Sequence, residues 1–299
     1  MTGGLDVLIP TCGRPAALAV TLAGLANQSA GGFRVVVSDQ SPATPAADAP
    51  EVRAMARRLR RGGHRVDLYH GHPRRGLAEH RQFLLDQADG EYVLFLDDDV
   101  FLDASTVARM LAAIGELRCG FVGCAPQGLS YLDDVRPHEW TAFEEVRGPV
   151  RPERVRKGGP AWERWRLHNA ANPAHLAERV TLPAGGWLAY RVTWIAGCVL
   201  YDRAVLVDCG GFEFWRRLPA SHRGEEIVAQ LRVMQRAGGV GLLPSGAQHL
   251  ELPTSVVDRD VDAYAEIVET DDRDRDCDRD RDCDHDRDCD RDRGGTGTG

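Results

Sequence analysis

Short apolar runs alternate with helix-period stretches along the first 125 residues. Leu5–Ile9, Phe33–Val37, Arg65–His70 and Tyr92–Leu96 are runs of five or six residues, three of them near-continuously apolar, as strands covered on both faces of a parallel sheet read. Between them, Pro15 opens a helix carrying Leu18, Leu22 and Leu25 at helical spacing, where the missing N–H of proline costs nothing. Residues 46–61 and 77–88 predict two more helices, closed by Gly62-Gly63 and near Gly90. Strand–helix alternation with short connections implies right-handed βαβ units and a mostly parallel α/β sheet.

Beyond residue 96 the pattern predicts a helix over 104–117 and a strand over 120–125. It then loosens from Pro126 to Leu188, where Trp140, Trp162, Trp165 and Trp187 either stack on a ligand or anchor the segment. A strand over Thr193–Tyr201 resumes the core. A helix with Ile227, Leu231 and Met234 on its apolar stripe follows Arg223-Gly224-Glu225-Glu226, then a strand over Val240–Leu243 and a closing helix over Val256–Val268. The expected organisation is one domain over 1–257, in two halves, 1–103 and 104–257. The closing helix (258–270) and a tail (271–299) follow.

Composition changes this picture mainly at the tail. Five of the eight net negative charges lie between Asp271 and Arg293, which holds twelve Asp and seven Arg. Ordering costs about 1–2 kcal/mol per residue, while exposed ion pairs return about 0–1 each, so disorder is expected there. The rest is only mildly acidic and carries no basic stripe, which argues against a nucleic-acid partner. No segment reaches the roughly 18 apolar residues of a membrane span, although peripheral membrane contact stays open. The N-terminus lacks the basic segment of a signal peptide. An odd, scattered set of cysteines, Cys12, Cys119, Cys124, Cys198 and Cys209, fits reduced thiols in a cytoplasmic protein. Cys119 and Cys124 have no second ligand pair at zinc-site spacing. Neither a GxGxxG after the first strand nor a P-loop is present.

The chemistry concentrates at Asp97, Asp98 and Asp99, three consecutive carboxylates at the C-terminal end of the strand Tyr92–Leu96. Open α/β sheets bind ligands at that end. Adjacent carboxylates suit a hard divalent cation, Mg²⁺ or Mn²⁺, with phosphates completing its shell; an acidic turn is the plain alternative. Glu225 and Glu226 fall in the first turn of a helix, where the dipole alone favours acids by about 0.3–1 kcal/mol.

In order, DVLIPTCGR, VVVSDQS, RRGLAEHRQ, YVLFLDDD, CGGF, the GEE-opened helix and GAQH resemble glycosyltransferase family 2 of the GT-A fold, from about Leu5 to His249. The resemblance implies transfer of a sugar from a nucleotide-sugar donor to an acceptor hydroxyl, by inversion, with a divalent metal. It makes Asp99 the principal metal ligand, Asp97 the first acid of a DxD motif touching ribose or metal, and Asp98 the variable middle position, a helper or a solvated neighbour. It lets His249 complete the metal shell. Asp39 matches the acid that meets the nucleotide base, with Gln40 replacing a second acid. Thr11 and Arg14 lie beside the nucleotide. Arg81 is either a cation for the diphosphate or a solvated helix residue, and Gln82 stands where the family has Asn. The family's acidic pair becomes Glu225-Glu226, with Glu226 at the position of the general base and Glu225 its rival. The acceptor is a saccharide, a lipid-linked group or a small molecule.

Three other readings stay open. A retaining transferase on the same fold needs no base at Glu226. A sugar-phosphate nucleotidylyltransferase carries a Gly-rich basic signature after the first strand, which DVLIPTCGR lacks. The intact acids Asp97, Asp99, Glu225 and Glu226 count against a non-catalytic nucleotide-sugar-binding relative, while Gln40 and Gln82 leave it open.

Overall fold

The computed structural model describes residues 4–254 and 259–271. The expected βαβ units are present. Strands β1 (Leu5–Thr11), β2 (Arg34–Asp39), β3 (Arg65–His70) and β4 (Tyr92–Leu96) alternate with helices α1 (Pro15–Leu25), α2 (Pro50–Arg61) and α3 (Leu77–Asp86). All four strands pair in parallel, in the order β3-β2-β1-β4. Pro50 rather than Ala46 begins the second helix, because a 3₁₀ turn over Ala46–Asp48 precedes it.

A short strand β5 (Val100–Leu102) and helix α4 (Thr106–Leu117) lead to β6 (Phe121–Gly123) and β7 (Gln127–Gly128). The segment read as irregular contains β8 (Glu145–Val146), 3₁₀ turns over Pro137–Ala142 and Pro160–His168, helix α5 (Asn172–Arg179) and β9 (Leu188–Tyr190). Two of its tryptophans are anchors. The Trp140 indole donates to Asn172 Oδ1 at 2.8 Å, and Trp162 packs on Trp194 and Tyr264 with ring centres 5.1 Å apart in both cases.

The next strand, β10 (Cys198–Asp202), begins five residues later than its apolar pattern suggested. Gly197 sits at φ +75°, in the left-handed region that ends an extended run, and residues 192–197 form a loop. Then come α6 (Arg203–Asp208), β11 (His222–Arg223), α7 (Glu225–Ala237), β12 (Gly239–Leu243), β13 (Ala247–His249) and β14 (Val261–Asp262). The closing helix is shorter than expected, a π-helical turn over Tyr264–Glu269 after β14. Asp271, placed in the tail by composition, pairs with Arg217 at 2.7 Å and Arg232 at 3.5 Å. The tail expected to be disordered otherwise lies outside the described residues.

The main sheet has nine strands ordered β3-β2-β1-β4-β10-β6-β12-β9-β8, with β10 antiparallel to both neighbours. Two apolar layers cover it: one includes Leu18, Leu22, Met110 and Ile114 from α1 and α4, the other Leu84, Val228, Val233 and Met234 from α3 and α7. A second, three-stranded sheet, β5-β13-β7, places β13 antiparallel to β5 with His249 opposite Val100. This small sheet carries His249, from late in the fold, back beside the acidic end of β4.

Candidate active site

The three aspartates separate into two environments. Asp98 is buried and held from both sides: the Thr11 hydroxyl donates to Oδ2 at 2.6 Å and Arg14 to Oδ1 at 2.5 Å. It is therefore not a solvated neighbour. Burial, with Asp99 and Asp97 adding, pushes its pKa up to about 6 against the pull of Thr11 and Arg14. Asp99 takes Arg14 Nη1 at 2.7 Å and faces His249 Nε2 at 3.4 Å. Burial opposes its charge, but His249 and Arg14 outweigh it and lower the Asp99 pKa, while the bond to Asp99 raises that of His249. The contact exists because β13 lies on β5, and Leu250 N–H donates to the Asp99 carbonyl at 2.9 Å.

Asp97 turns the other way, toward α3 and α7. Arg81 is 2% exposed and binds three carboxylates: Asp97 at 3.2 Å, Glu225 at 3.2 Å and Glu226 at 2.5 Å. Of the two sequence readings of Arg81, the solvated helix residue is excluded. Burial disfavours its charge, yet Glu226, Asp97 and Glu225 prevail and raise its pKa. For Glu226 the balance is reversed. Burial, reinforced by Asp97 and Glu225, overrides Arg81 and the Gly197 N–H and lifts its pKa to about 8. Its side chain is 15% exposed against 5% for Glu225, so Glu226 is the member of the pair that faces open space.

Asp39 is buried at the end of β2 and occupied by its own loop: Ser41 N–H donates to Oδ1 at 2.8 Å and Ala46 N–H to Oδ2 at 2.6 Å. Gln40 donates to the Pro73 carbonyl at 2.9 Å. Gln82 ties α3 to the turn after α6, accepting from Phe212 N–H at 2.8 Å and donating to Asp86 at 2.7 Å.

Two adjoining clefts meet over these groups. One, of about 410 Å³, is lined by Thr11, Cys12, Gln40, Arg74, His80 and Asp98; the other, of about 340 Å³, by Asp99, Arg223, Glu225, Glu226 and His249. Arg14, Asp97 and Arg259 line both. His80 and His222 were not singled out by the sequence. His222 accepts from Ala78 N–H at 3.0 Å through Nε2, so its Nδ1–H donates to the Pro219 carbonyl at 2.7 Å and the ring pins the start of α3. Gly76, at φ +104°, leaves room for it, since a Cβ there would lie 2.4 Å from His222 Cε1. Gly76→Ala is expected to cost about 1–3 kcal/mol and to lower nucleotide affinity, read by thermal melting and titration. An unchanged melting temperature would show that the ring yields freely.

Among the described residues, no group of three or more His, Cys, Asp or Glu side chains is arranged to hold a metal by itself. Asp99 and His249 do converge, and Asp97 lines the same cleft. One or two protein ligands plus substrate phosphates are the usual holding for Mg²⁺. The residues therefore fit a divalent cation shared with a diphosphate rather than a resident one.

A family model described as Glycosyl transferase family 2 matches residues 6–191, more than half of the chain. The chain belongs to glycosyl transferase family 2. That match spans β1 through β9 and includes Thr11, Arg14, Asp39, Arg81 and all three aspartates. No curated protein matches the sequence. Among solved structures, this family 2 chain is similar to residues 1–349 of S. aureus TarS in complex with UDP-GlcNAc. That pair shares 17% identity and a TM-score of 0.54, covering 85% of this chain and 60% of that one. It is also similar to the mannosyltransferase PcManGT from Pyrobaculum calidifontis in complex with GDP-Man and Mn²⁺, at 18% identity and a TM-score of 0.51, covering 81% and 55%. A longer TarS structure is covered to only 35% of its length, so the family 2 chain spans about a third to three-fifths of these structures. The likeness carries the GT-A fold. No helix among the described residues is long and apolar enough to cross a membrane.

Proposed function

We propose that the chain is an inverting, metal-dependent glycosyltransferase that moves a sugar from a nucleotide-sugar donor to an acceptor hydroxyl. The observation that carries this reading is the meeting of the two clefts at Asp97. Groups suited to a nucleoside diphosphate lie on one side of it, and a desolvated carboxylate suited to proton transfer lies on the other. TarS and PcManGT, with UDP-GlcNAc and GDP-Man in their structures, support the substrate class. Among the described residues the five cysteines are free thiols, which fits the cytoplasm as its place of work.

In this reading the nucleoside end lies against Thr11, Cys12 and Gln40, and Asp39 shapes the loop beneath it. Arg14 and Arg259, lining both clefts, face the diphosphate. Asp99, His249 and Asp97 would hold Mn²⁺ or Mg²⁺, which supplies Lewis-acid stabilisation of the leaving diphosphate. Glu226 takes the acceptor hydroxyl proton as the acceptor oxygen bonds to the anomeric carbon. The sugar–phosphate bond breaks on the opposite face, and its electron pair leaves with the nucleotide. Glu225 and Asp97 hold Arg81, and through it Glu226, in place.

Asp99→Asn is the direct test. Incubated with UDP-, GDP- and dTDP-sugars and Mn²⁺, the native chain is expected to release nucleotide from one of them and the variant to lose roughly two or more orders of magnitude. Binding of no nucleotide sugar by the native chain would remove the reading.

A further inference from the structure

Large apolar side chains are left exposed at few places among the described residues, and most of them gather at one corner. Of seven, Leu129, Leu132, Val135 and Leu252 are 45%, 51%, 54% and 40% exposed and belong to two segments that meet. The other three, Val20, Leu182 and Val207, stand singly on α1, after α5 and on α6. Single exposed apolar residues are ordinary on a soluble surface, whereas a group of four marks a contact. The backbone brings the four together. β7 pairs in parallel with β13, Gly128 opposite His249, so both chains leave the small sheet side by side. Glu251 then takes a left-handed backbone, φ +55°. Its carboxylate receives the Ser130 N–H at 2.6 Å and the Ser130 hydroxyl at 2.8 Å. A Cβ on Gly128 would fall 2.7 Å from Tyr131 Cδ2 and 3.0 Å from Glu251 Oε1, so a glycine lets the segments approach. Leu129 opens a 3₁₀ turn, and Leu132 keeps its helical backbone at φ −61° and ψ −30°. Residues three apart eclipse in such a turn, which puts Leu129 and Leu132 on one side.

Leu252 connects this corner to the chemistry, because it lines the cleft of Glu226, Arg223 and His249, where Leu77 and Ala196 add further apolar wall. The charges around the four side chains are mainly acidic. The two hydrogen bonds from Ser130 lower the Glu251 pKa, so that carboxylate is ionised. Asp133 is exposed, and Asp134 is matched by Arg136 at 2.6 Å. Segments that dock on anionic bilayers combine apolar with basic side chains, and this corner has the opposite sign. A carbon chain leaving the cleft mouth suits it better.

We propose that the acceptor carries an apolar group, an alkyl or similar carbon chain, which lies on Leu252, Leu129, Leu132 and Val135 while its hydroxyl reaches Glu226. This rests on the transferase reading and narrows it, from any hydroxyl acceptor to an amphiphilic one. A nucleotide sugar has no chain of this kind, so the donor does not explain the corner.

The test uses n-alkyl β-glucosides from methyl to octyl, which share one polar head and differ only in chain length. Kept below micelle-forming concentrations, they are titrated into the chain with Mn²⁺ and whichever of UDP, GDP and dTDP it binds best. Each methylene that reaches the corner should tighten binding about two- to fourfold, as partial to full burial of a CH₂ does. Leu132→Asn and Leu252→Asn should flatten that slope. Val207→Asn, at a side chain 48% exposed on α6, should leave it unchanged. Methyl glucoside should bind all four proteins alike, and all four should melt together, since each change is at the surface. A flat series in the native chain overturns the inference, and so does a slope that neither leucine variant alters. Sedimentation with phosphatidylcholine and phosphatidylglycerol vesicles separates a bilayer from a free amphiphile. The native chain should stay in solution; vesicle binding that Leu132→Asn abolishes would make the corner a membrane anchor and overturn the inference. Failure to bind any nucleotide removes the transferase reading and the acceptor with it. A flat series in a chain that binds nucleotide removes this inference alone.

Discussion

Replacing Glu226 with glutamine is expected to lower kcat by about 10²–10⁴-fold, the usual contribution of a positioned base, with nucleotide-sugar affinity nearly unchanged. The amide keeps the shape and still accepts from Arg81 and Gly197, so the loss is confined to proton acceptance. Glu225→Gln, at a carboxyl 5% exposed, should reduce the rate less, through the position of Arg81. A larger effect at Glu225 than at Glu226 would move the base by one residue. The pH profile provides an independent measurement. Burial raises the Glu226 pKa to about 8, and the base must be ionised to act. Activity should therefore rise with pH through about 8 and reach a plateau above it, a limb absent from Glu226→Gln. A carboxylate with so high a pKa is also a stronger base than an ordinary one, which is the chemical return on burying it.

How far the sequence led depended on how local each feature is. The strands β1 to β4 and helices α1 and α3 were legible because each is a run of apolar or helix-period residues long enough to carry a pattern. Strands β5, β7 and β13 have two or three residues each, too few for any periodicity, yet their pairing is what brings His249 to Asp99. Only the order of motifs pointed there. The acids of the candidate site are conspicuous because carboxylates in the first turn of a helix or at a strand end stand out in a sequence. Thr11, Arg14, Arg81 and His249 were named beside them, but which acid each would meet was not legible. The sequence left Arg81 as either a cation for the diphosphate or a solvated helix residue, and only the fold shows Glu225, 144 residues away, bonded to it in the interior. Asp98 was undervalued for the same reason, since its burial depends on Thr11 and Arg14 from another loop.

Arg81→Met should cost about 3–5 kcal/mol of stability, the usual penalty for removing one partner of a buried charge network. Methionine fills much of the same volume, so the loss is electrostatic. Asp97, Glu225 and Glu226 would share a poorly hydrated space without a cation. Urea denaturation should show a lower midpoint at an unchanged slope. Arg81→Lys should recover only part, because a single ammonium cannot address three carboxylates as the guanidinium fork does. The pH dependence has a definite sign. Glu226 has an ordinary value of 4.5 and a folded value of about 8, so the folded chain holds a proton that the unfolded chain releases between these limits. Its contribution to stability is then greatest below about 4.5 and declines as pH rises through about 8. Without Arg81, Glu226 loses the cation that pulls its pKa down, and the decline should extend to higher pH. Adding Glu225→Gln to Arg81→Met should restore stability, because one of the uncompensated charges is gone. If the double variant is instead less stable than Arg81→Met, the three acids are not competing for a single cation.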